Sequence, residues 1–547
     1  MSTERVWFKP DSLRSLVLPT LVIALGMQTL RVFVPGLAWY LKDTVGVGSI
    51  ALAGYAFGAF FMAFLAALLR RLAGPRISLW ITAGGVAVLR LVEQLVFLPE
   101  IDIWISMAGT VMFLLFLPIF VGHVRAQGGE FAAPRLGYGI LLGITLDTAI
   151  HGAASTLDLS WIPGILPTLI VLIMLGLVIW ALIAETPTGD FEPSETGWGA
   201  AFSLFALGPF LVFQAIVLQN QGWLTQVAGL QPAAAFALVM VGNLVAIGGM
   251  AWAFSRPHTF HPLLGFAVAF YLGWAGFSAD TVHPGFIITA IISQLLYGWG
   301  LATLMARTAP ASKRGLCRTA LGTGLGMVVF LLLAFVYYVS LDMALPIPRA
   351  AILPTATILF GVIILLISLR LRKMKPSPLR DWTPLMIALI LLFVPLLHWL
   401  IQGPAPAGEE PSGLPIRVMT YNVHSAYDVD GLQDPEAIAY VIEESGAKII
   451  ALQEMSRGWL INGSTDLATW LSHRLGMQVL FQGTTGPMWG NAILSAYPIL
   501  DHGTGTLPAV GQLMGRGYLW ASIDIGEDTP LQVIATHLHH IEEDNYV

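Results

Sequence analysis

The residues best suited to chemistry lie near the C-terminal end, each where a short apolar run stops. Residues 416–423 alternate as a β-strand does and lead into two polar side chains, Asn422 and His424. Residues 448–454, K-I-I-A-L-Q-E, read as a buried strand closing on an acid, Glu454. Residues 531–540, L-Q-V-I-A-T-H-L-H-H, form another strand pattern with His537 at its end. A carboxylate with an amide oxygen supplies hard ligands for Mg²⁺ or Mn²⁺. A histidine at a third strand end can meet a phosphate or a leaving oxygen. Taken singly, each residue is more often structural; gathered at strand ends, they make a candidate site.

A second group sits inside strongly apolar segments. Arg31 lies deep in the first. Arg90 and Glu93 are three apart, and Asp147 and His151 four apart, so each pair shares a helix face. Ionisable groups in a bilayer are costly and by default mark function. They predict a polar site within a helical bundle, for a lipid headgroup or a coupled proton. The plainer reading is pairing that only holds helices together.

The elements that must position these groups follow from composition. Hydrophobic residues make up 56% of the 547-residue chain and charged residues 11%, less than half the charge of a soluble domain. About 20 apolar residues cross a membrane. Thirteen segments qualify, at about 15–36, 49–69, 77–98, 102–123, 137–157, 162–184, 199–219, 231–254, 261–279, 285–306, 318–340, 350–370 and 382–401. An acidic loop at 185–195 divides them as six, six and one. The polar start runs straight into the first span, as a signal anchor does. Residues 1–401 therefore form a polytopic membrane domain, 402–413 a Pro/Gly-rich linker, and 414–547 a soluble α/β domain. In that domain Asp434 suits a helix N-cap, Pro435 the first turn and Gly446 the stop.

With the N-terminus inside, cytoplasmic segments hold eighteen Lys and Arg, and exterior loops only Lys42 and Arg349. Cytoplasmic loops carry the basic excess, so the C-terminal domain is expected on the exterior face. The net charge of −6 and few basic residues after position 414 disfavour nucleic acid as a partner. One cysteine, Cys317, excludes an intramolecular disulfide. Nothing in the sequence bears on oligomeric state.

T-Y-N-V-H, then A-L-Q-E, G-N-A-I-L-S-A-Y-P-I and A-T-H-L, in that order from Thr420 to Leu538, resemble the endonuclease/exonuclease/phosphatase superfamily. The resemblance covers 414–547 and implies a four-layer α/β sandwich and metal-dependent attack by water on a phosphoester. It implies that Asn422 arranges metal and nucleophile, that Glu454 binds the metal, Mg²⁺ or Mn²⁺, and that His537 contacts the scissile phosphate or acts as general acid. Asn491, Arg516 and His424 correspond to substrate-side positions. Many membrane spans ahead of such a domain resemble the glycosylphosphatidylinositol-anchor lipid-remodelling proteins, which implies a bilayer setting and a lipid-linked or phosphoinositol-like substrate. The superfamily also carries a Gly-Asp-x-Asn segment and a closing Asp-His pair, and residues 541–547, I-E-E-D-N-Y-V, supply neither. The sequence is therefore expected to be the N-terminal half of the domain, incomplete as an enzyme.

T-H-L-H-H-I-E-E-D superficially resembles the His-x-His-x-Asp-His zinc motif of metallo-β-lactamase-like hydrolases. Ile541 and Glu542 stand where Asp and His are needed. Three functions remain open: a membrane-anchored phosphohydrolase, a transporter with a non-catalytic exterior domain, and, last, a nuclease.

Overall fold

The structure is a computed structural model that describes residues 10–185, 197–256, 260–309, 316–341, 343–371, 381–508 and 513–538. Most of the acidic loop, the basic stretches at 310–315 and 372–380, and His539 and His540 with the rest of the rival zinc motif lie outside the described residues.

Ten helical segments among the described residues are long and apolar enough to cross a membrane. One of them, Ser49–Leu95, runs for 47 residues and breaks at Gly74, where φ is 78° and Pro75 follows. A left-handed glycine before a proline turns the chain without a loop, so the loop expected between the second and third spans is a kink. Ala132–Ala153 is less apolar because it carries Arg135, Asp147 and His151, and Pro262–Ser278 is only 17 residues long. Each of the thirteen expected segments is therefore helical. Large apolar side chains such as Ile165, Ile183, Phe270 and Phe393 point outward, as a lipid-facing belt requires. Inside, small residues let backbones meet: a Cβ on Gly208 would strike the Gly326 carbonyl.

Ser12 donates a 2.5 Å hydrogen bond to Asp381 at one end of the bundle. At the other end the first span continues past Pro35 as a π-helix, Gly36–Thr44, and there it meets the C-terminal domain. The start of the chain and that domain thus lie at opposite ends.

The domain has two sheets. In the first, β1 (Val418–Asn422), β2 (Ile449–Ser456), β3 (Gln478–Gly483) and β4 (Trp489–Ser495) lie in the order β1-β2-β4-β3, with β1 parallel to β2 and the other pairs antiparallel. In the second, β5 (Ile499–Thr506), β6 (Gly517–Ile523) and β7 (Leu531–Thr536) are antiparallel in chain order. Ile449, Ile493, Leu519 and Ile523 fill the space between the sheets. Helices Pro435–Ser445 and Leu467–Leu475 cover the outer face of the first sheet through Ile442, Leu467 and Leu471. Asp434 and Asp466 cap these helices by accepting from Ala437 N and Thr469 N. Gly446 ends the first in the left-handed region. Three of the four layers implied by the resemblance are present among the described residues.

Candidate functional site at the mouth of the sandwich

Backbone strain marks one end of the sheets. The register of β2 against β4 slips between Leu452 and Met455, and within the slip Glu454 has φ +56°. Just past β1, His424, Ser425 and Ala426 have φ of +46°, +55° and +65°. Side chains in this region cost about 1–3 kcal/mol each and persist only where the surroundings enforce them. Ser425 Oγ donates to the Glu454 carbonyl at 3.1 Å, so the two strained stretches brace one another.

That bulge turns Glu454 toward the second sheet, where His537 follows β7. Their nearest atoms, Oε1 and Nε2, are 3.7 Å apart. Arg516, one residue before β6, is buried with its guanidinium 5.6 Å from the Trp489 ring centre. His537 meets the same ring edge-on at 6.2 Å. Nε and Nη1 of Arg516 have no hydrogen-bond partner among the described residues. Burial lowers its pKa, and the Glu454 carboxylate pulls it back up. The mouth thus holds an acid, a histidine and an underused guanidinium around an indole. Sequence reasoning passed over Trp489, although a tryptophan opening the G-N-A-I-L strand was a visible signal.

The other expected positions sit differently. Asn422 pairs with Gln453, beside Glu454, but its Oδ1 accepts from His424 N at 3.0 Å. Asn491 is buried in the central strand β4 and donates to the Gly517 carbonyl at 3.0 Å, tying the sheets together. His424 faces away from Glu454. Its Nε2 is 3.1 Å from Asp43 of the membrane domain, and its ring meets Trp39 edge-on. Asn491 thus makes a packing contact between the sheets and His424 a docking contact with the membrane domain.

Among the described residues no group of three or more His, Cys, Asp or Glu is placed to hold a metal. One carboxylate, Glu454, with the Asn422 amide nearby still fits Mg²⁺, which keeps several waters and takes few protein ligands.

Residues 415–545 match the family described as PGAP2IP, C-terminal nuclease-like domain. An endonuclease/exonuclease/phosphatase-like domain is fused here to a membrane domain. A solved endonuclease/exonuclease/phosphatase from Beutenbergia cavernae DSM 12333 is similar at 25% identity over 22% of this chain, with TM-score 0.20. The chain covers 38% of that protein's length. Over the membrane domain, the major facilitator transporter FucP in its outward conformation is 15% identical, covering 66% of this chain and all of its own, with TM-score 0.42. The proton:xylose symporter XylE is 13% identical over 70% of this chain and all of its own, with TM-score 0.43. No curated protein matches.

The endonuclease/exonuclease/phosphatase-like domain stands on the bundle through its mouth end. Trp39 stacks on Tyr427 at 4.7 Å, and its Nε1 donates to the Ile461 carbonyl at 2.9 Å. Asn220 Nδ2 donates to the Gly458 carbonyl at 2.6 Å, and Leu460 N to the Tyr338 hydroxyl at 2.8 Å. Asp466 N donates to Thr156 Oγ1 at 2.9 Å. Asp466 itself accepts two bonds from Arg457, at 2.8 and 3.1 Å. A Cβ on Gly222 would collide with the Arg457 carbonyl, so the bundle approaches this loop backbone to backbone.

Below the contact lie the polar groups of the bundle. Asp147 pairs across to Arg31 of the first span through both guanidinium nitrogens, and not along its own helix to His151. Arg31 Nη1 also donates to Asp158 at 2.5 Å. Arg90 is fully buried, 3.8 Å from Asp158 and 3.9 Å from Glu93, and donates to Gln28 and Gln94. Asp158, a loop residue unremarked in the sequence, thus joins the two groups. Burial pushes its carboxyl up, but Arg31, Arg90 and the Ser160 N–H outweigh this and hold it at about 2.

Proposed function

We propose that the complete protein is a membrane-anchored, metal-dependent phosphohydrolase acting on a lipid-linked phosphoester. The observation that carries this reading is the meeting of Glu454 and His537, from opposite sheets, beside the underused Arg516 guanidinium. Arg516 binds a phosphate oxygen, the natural partner of a guanidinium with free donors. His537 holds a proton at the leaving oxygen. Glu454, with Asn422, holds Mg²⁺ or Mn²⁺, which when bound offsets phosphate charge. Trp489 walls the site and keeps Arg516 and His537 in place.

Two features support a lipid substrate. The mouth stands on the membrane domain, and many spans ahead of a nuclease-like domain resemble the arrangement of glycosylphosphatidylinositol-anchor lipid-remodelling proteins. A phosphoinositol-like headgroup fits that context. The basic residues Arg70, Arg71, Arg125, Arg307 and Arg370 lie toward the end opposite the domain, which supports an exterior placement for it.

A second reading, a carrier whose domain binds without cutting, is favoured by a cavity enclosed between the helices. The test uses protein from the gene's complete reading frame. Bis-p-nitrophenyl phosphate and phosphatidylinositol are assayed with Mg²⁺ and with EDTA, against Glu454→Gln and His537→Ala. Metal-dependent release lost in both variants supports the enzyme. Equal release by both variants, or none from the parent, leaves the carrier.

A further inference from the structure

Trp489 walls the candidate site, yet it is packed from the membrane side. The buried apolar cluster that fills the bundle continues through Trp459, Met488 and Trp489, whereas the two cores of the α/β domain include none of the three. One wall of the site thus belongs to the core of the membrane domain.

The connection can be followed ring by ring. Trp459 stacks on Trp489 with ring centres 5.8 Å apart and planes 10° from parallel. Tyr338, from the membrane helix Leu316–Val339, meets Trp459 edge-on at 5.9 Å. The Tyr338 hydroxyl also accepts from Leu460 N at 2.8 Å, so one side chain of the bundle holds both the ring and its loop. Arg457 N donates to the Met488 carbonyl at 2.8 Å, which ties that loop to the residue before Trp489. Stacked and edge-on rings hold one another in a narrow range of geometry.

Trp489 has two further neighbours, and both carry the chemistry. The Arg516 guanidinium lies 5.6 Å from its ring centre, and the His537 ring meets it edge-on at 6.2 Å. A guanidinium over an indole is attracted to the ring face and follows it. Nε and Nη1 of Arg516 make no hydrogen bond among the described residues, so the indole takes a large part in aiming it.

We propose that the membrane bundle is a working part of the phosphoester site: Tyr338 and Trp459 are positioning residues that fix Trp489, and through it the aim of Arg516 and His537. This rests on the reading of the mouth as a phosphoester site. It gives the helices a role beyond anchoring, because the bundle then completes the geometry of the domain it carries.

The test is a titration of inorganic phosphate, with Mg²⁺ present, into detergent-solubilised protein from the complete reading frame, followed by ³¹P NMR. Trp459→Leu and Tyr338→Leu are each expected to weaken phosphate binding about tenfold, within the cost of misplacing a group by about 1 Å. Trp459→Phe keeps a stacking ring and is expected to stay within about twofold of the parent. Trp39→Ala loosens the docking elsewhere without touching Trp489, and its affinity should also stay within about twofold. Unchanged melting confirms intact folds, and because Tyr338 and Trp459 lie on opposite sides of the contact, either variant carries the test if the other fails to fold. Undiminished phosphate binding by the folded leucine variants, an equal loss in Trp39→Ala, or no binding by the parent would overturn the proposal. Hydrolysis of bis-p-nitrophenyl phosphate by the same samples reads the hydrolase assignment separately. With turnover, Trp459→Leu should raise KM as well as lower kcat, whereas a partly unfolded sample lowers kcat alone. Phosphate bound through the ring contacts without turnover would remove the hydrolase reading and leave the positioning role standing.

Discussion

The Asp43 carboxylate at the end of the first membrane helix lies 3.1 Å from Nε2 of His424 in the strained turn after β1. Both side chains are well exposed, so the pair itself adds little. The indole of Trp39 beside it carries the contact, through stacking on Tyr427 and bonds to Ile461 and Asn462. Trp39→Ala should loosen docking by about 2 kcal/mol, the scale of an aromatic anchor. Asp43→Asn should change it little. Hydrogen exchange at residues 424–427 and 460–464 reads the difference.

Arg31 holds two carboxylates in a space with almost no water. Arg31→Met leaves Asp147 and Asp158 facing one another and should cost about 3–5 kcal/mol. Adding Asp147→Asn should recover part of that loss. Thermal unfolding in detergent follows both.

Acid should weaken the bundle at two identifiable points. Asp158 is held at about 2. Glu185 is pushed up by burial, but bonding to His123 and the charge on Arg135 outweigh this and hold it at about 2 as well. A carboxyl whose folded pKa is depressed contributes stability that is complete above its unfolded value, about 4. That stability is lost as pH falls toward 2. Melting temperature should hold from pH 7 to 5 and drop between 4 and 2.5, and Asp158→Asn should flatten part of the drop while lowering the plateau.

Glu454 combines strain with chemistry, so the two can be separated. Glu454→Gly relieves a left-handed conformation costing about 1–3 kcal/mol and should leave melting unchanged or higher. The same variant should abolish phosphoester hydrolysis by the complete protein. His537→Ala should lower kcat by about 10²–10⁴, whereas Arg516→Met should raise KM more than it lowers kcat.

How far the sequence carries is clearest at particular residues. The span pattern was legible because a bilayer demands long apolar runs, and the fifth and ninth segments are the least apolar or shortest helices for the same reason. His537 was legible as a strand end, whereas Glu454, the acid that closes an apolar run, lies at a bulge inside β2, which continues to Ser456. What the sequence hid was tertiary. Asp158 looks like an ordinary loop acid until Arg31 and Arg90 converge on it from separate helices. His424 belongs by motif with Asn422, yet its left-handed turn swings it to a membrane helix nearly four hundred positions away. Asn491 is a polar residue in an otherwise apolar run, and only the structure shows that β4 lies buried between two other strands and turns its amide to the Gly517 carbonyl.

The stance of the domain on its mouth has a consequence for the shape of what may enter. A stiff nucleic-acid duplex needs clearance on both flanks of a cleft, and one flank here is occupied by the bundle through Trp39, Asn220 and Tyr338. On the reading proposed above, substrate therefore approaches Glu454 and His537 from the sides that Trp39, Asn220 and Tyr338 leave open.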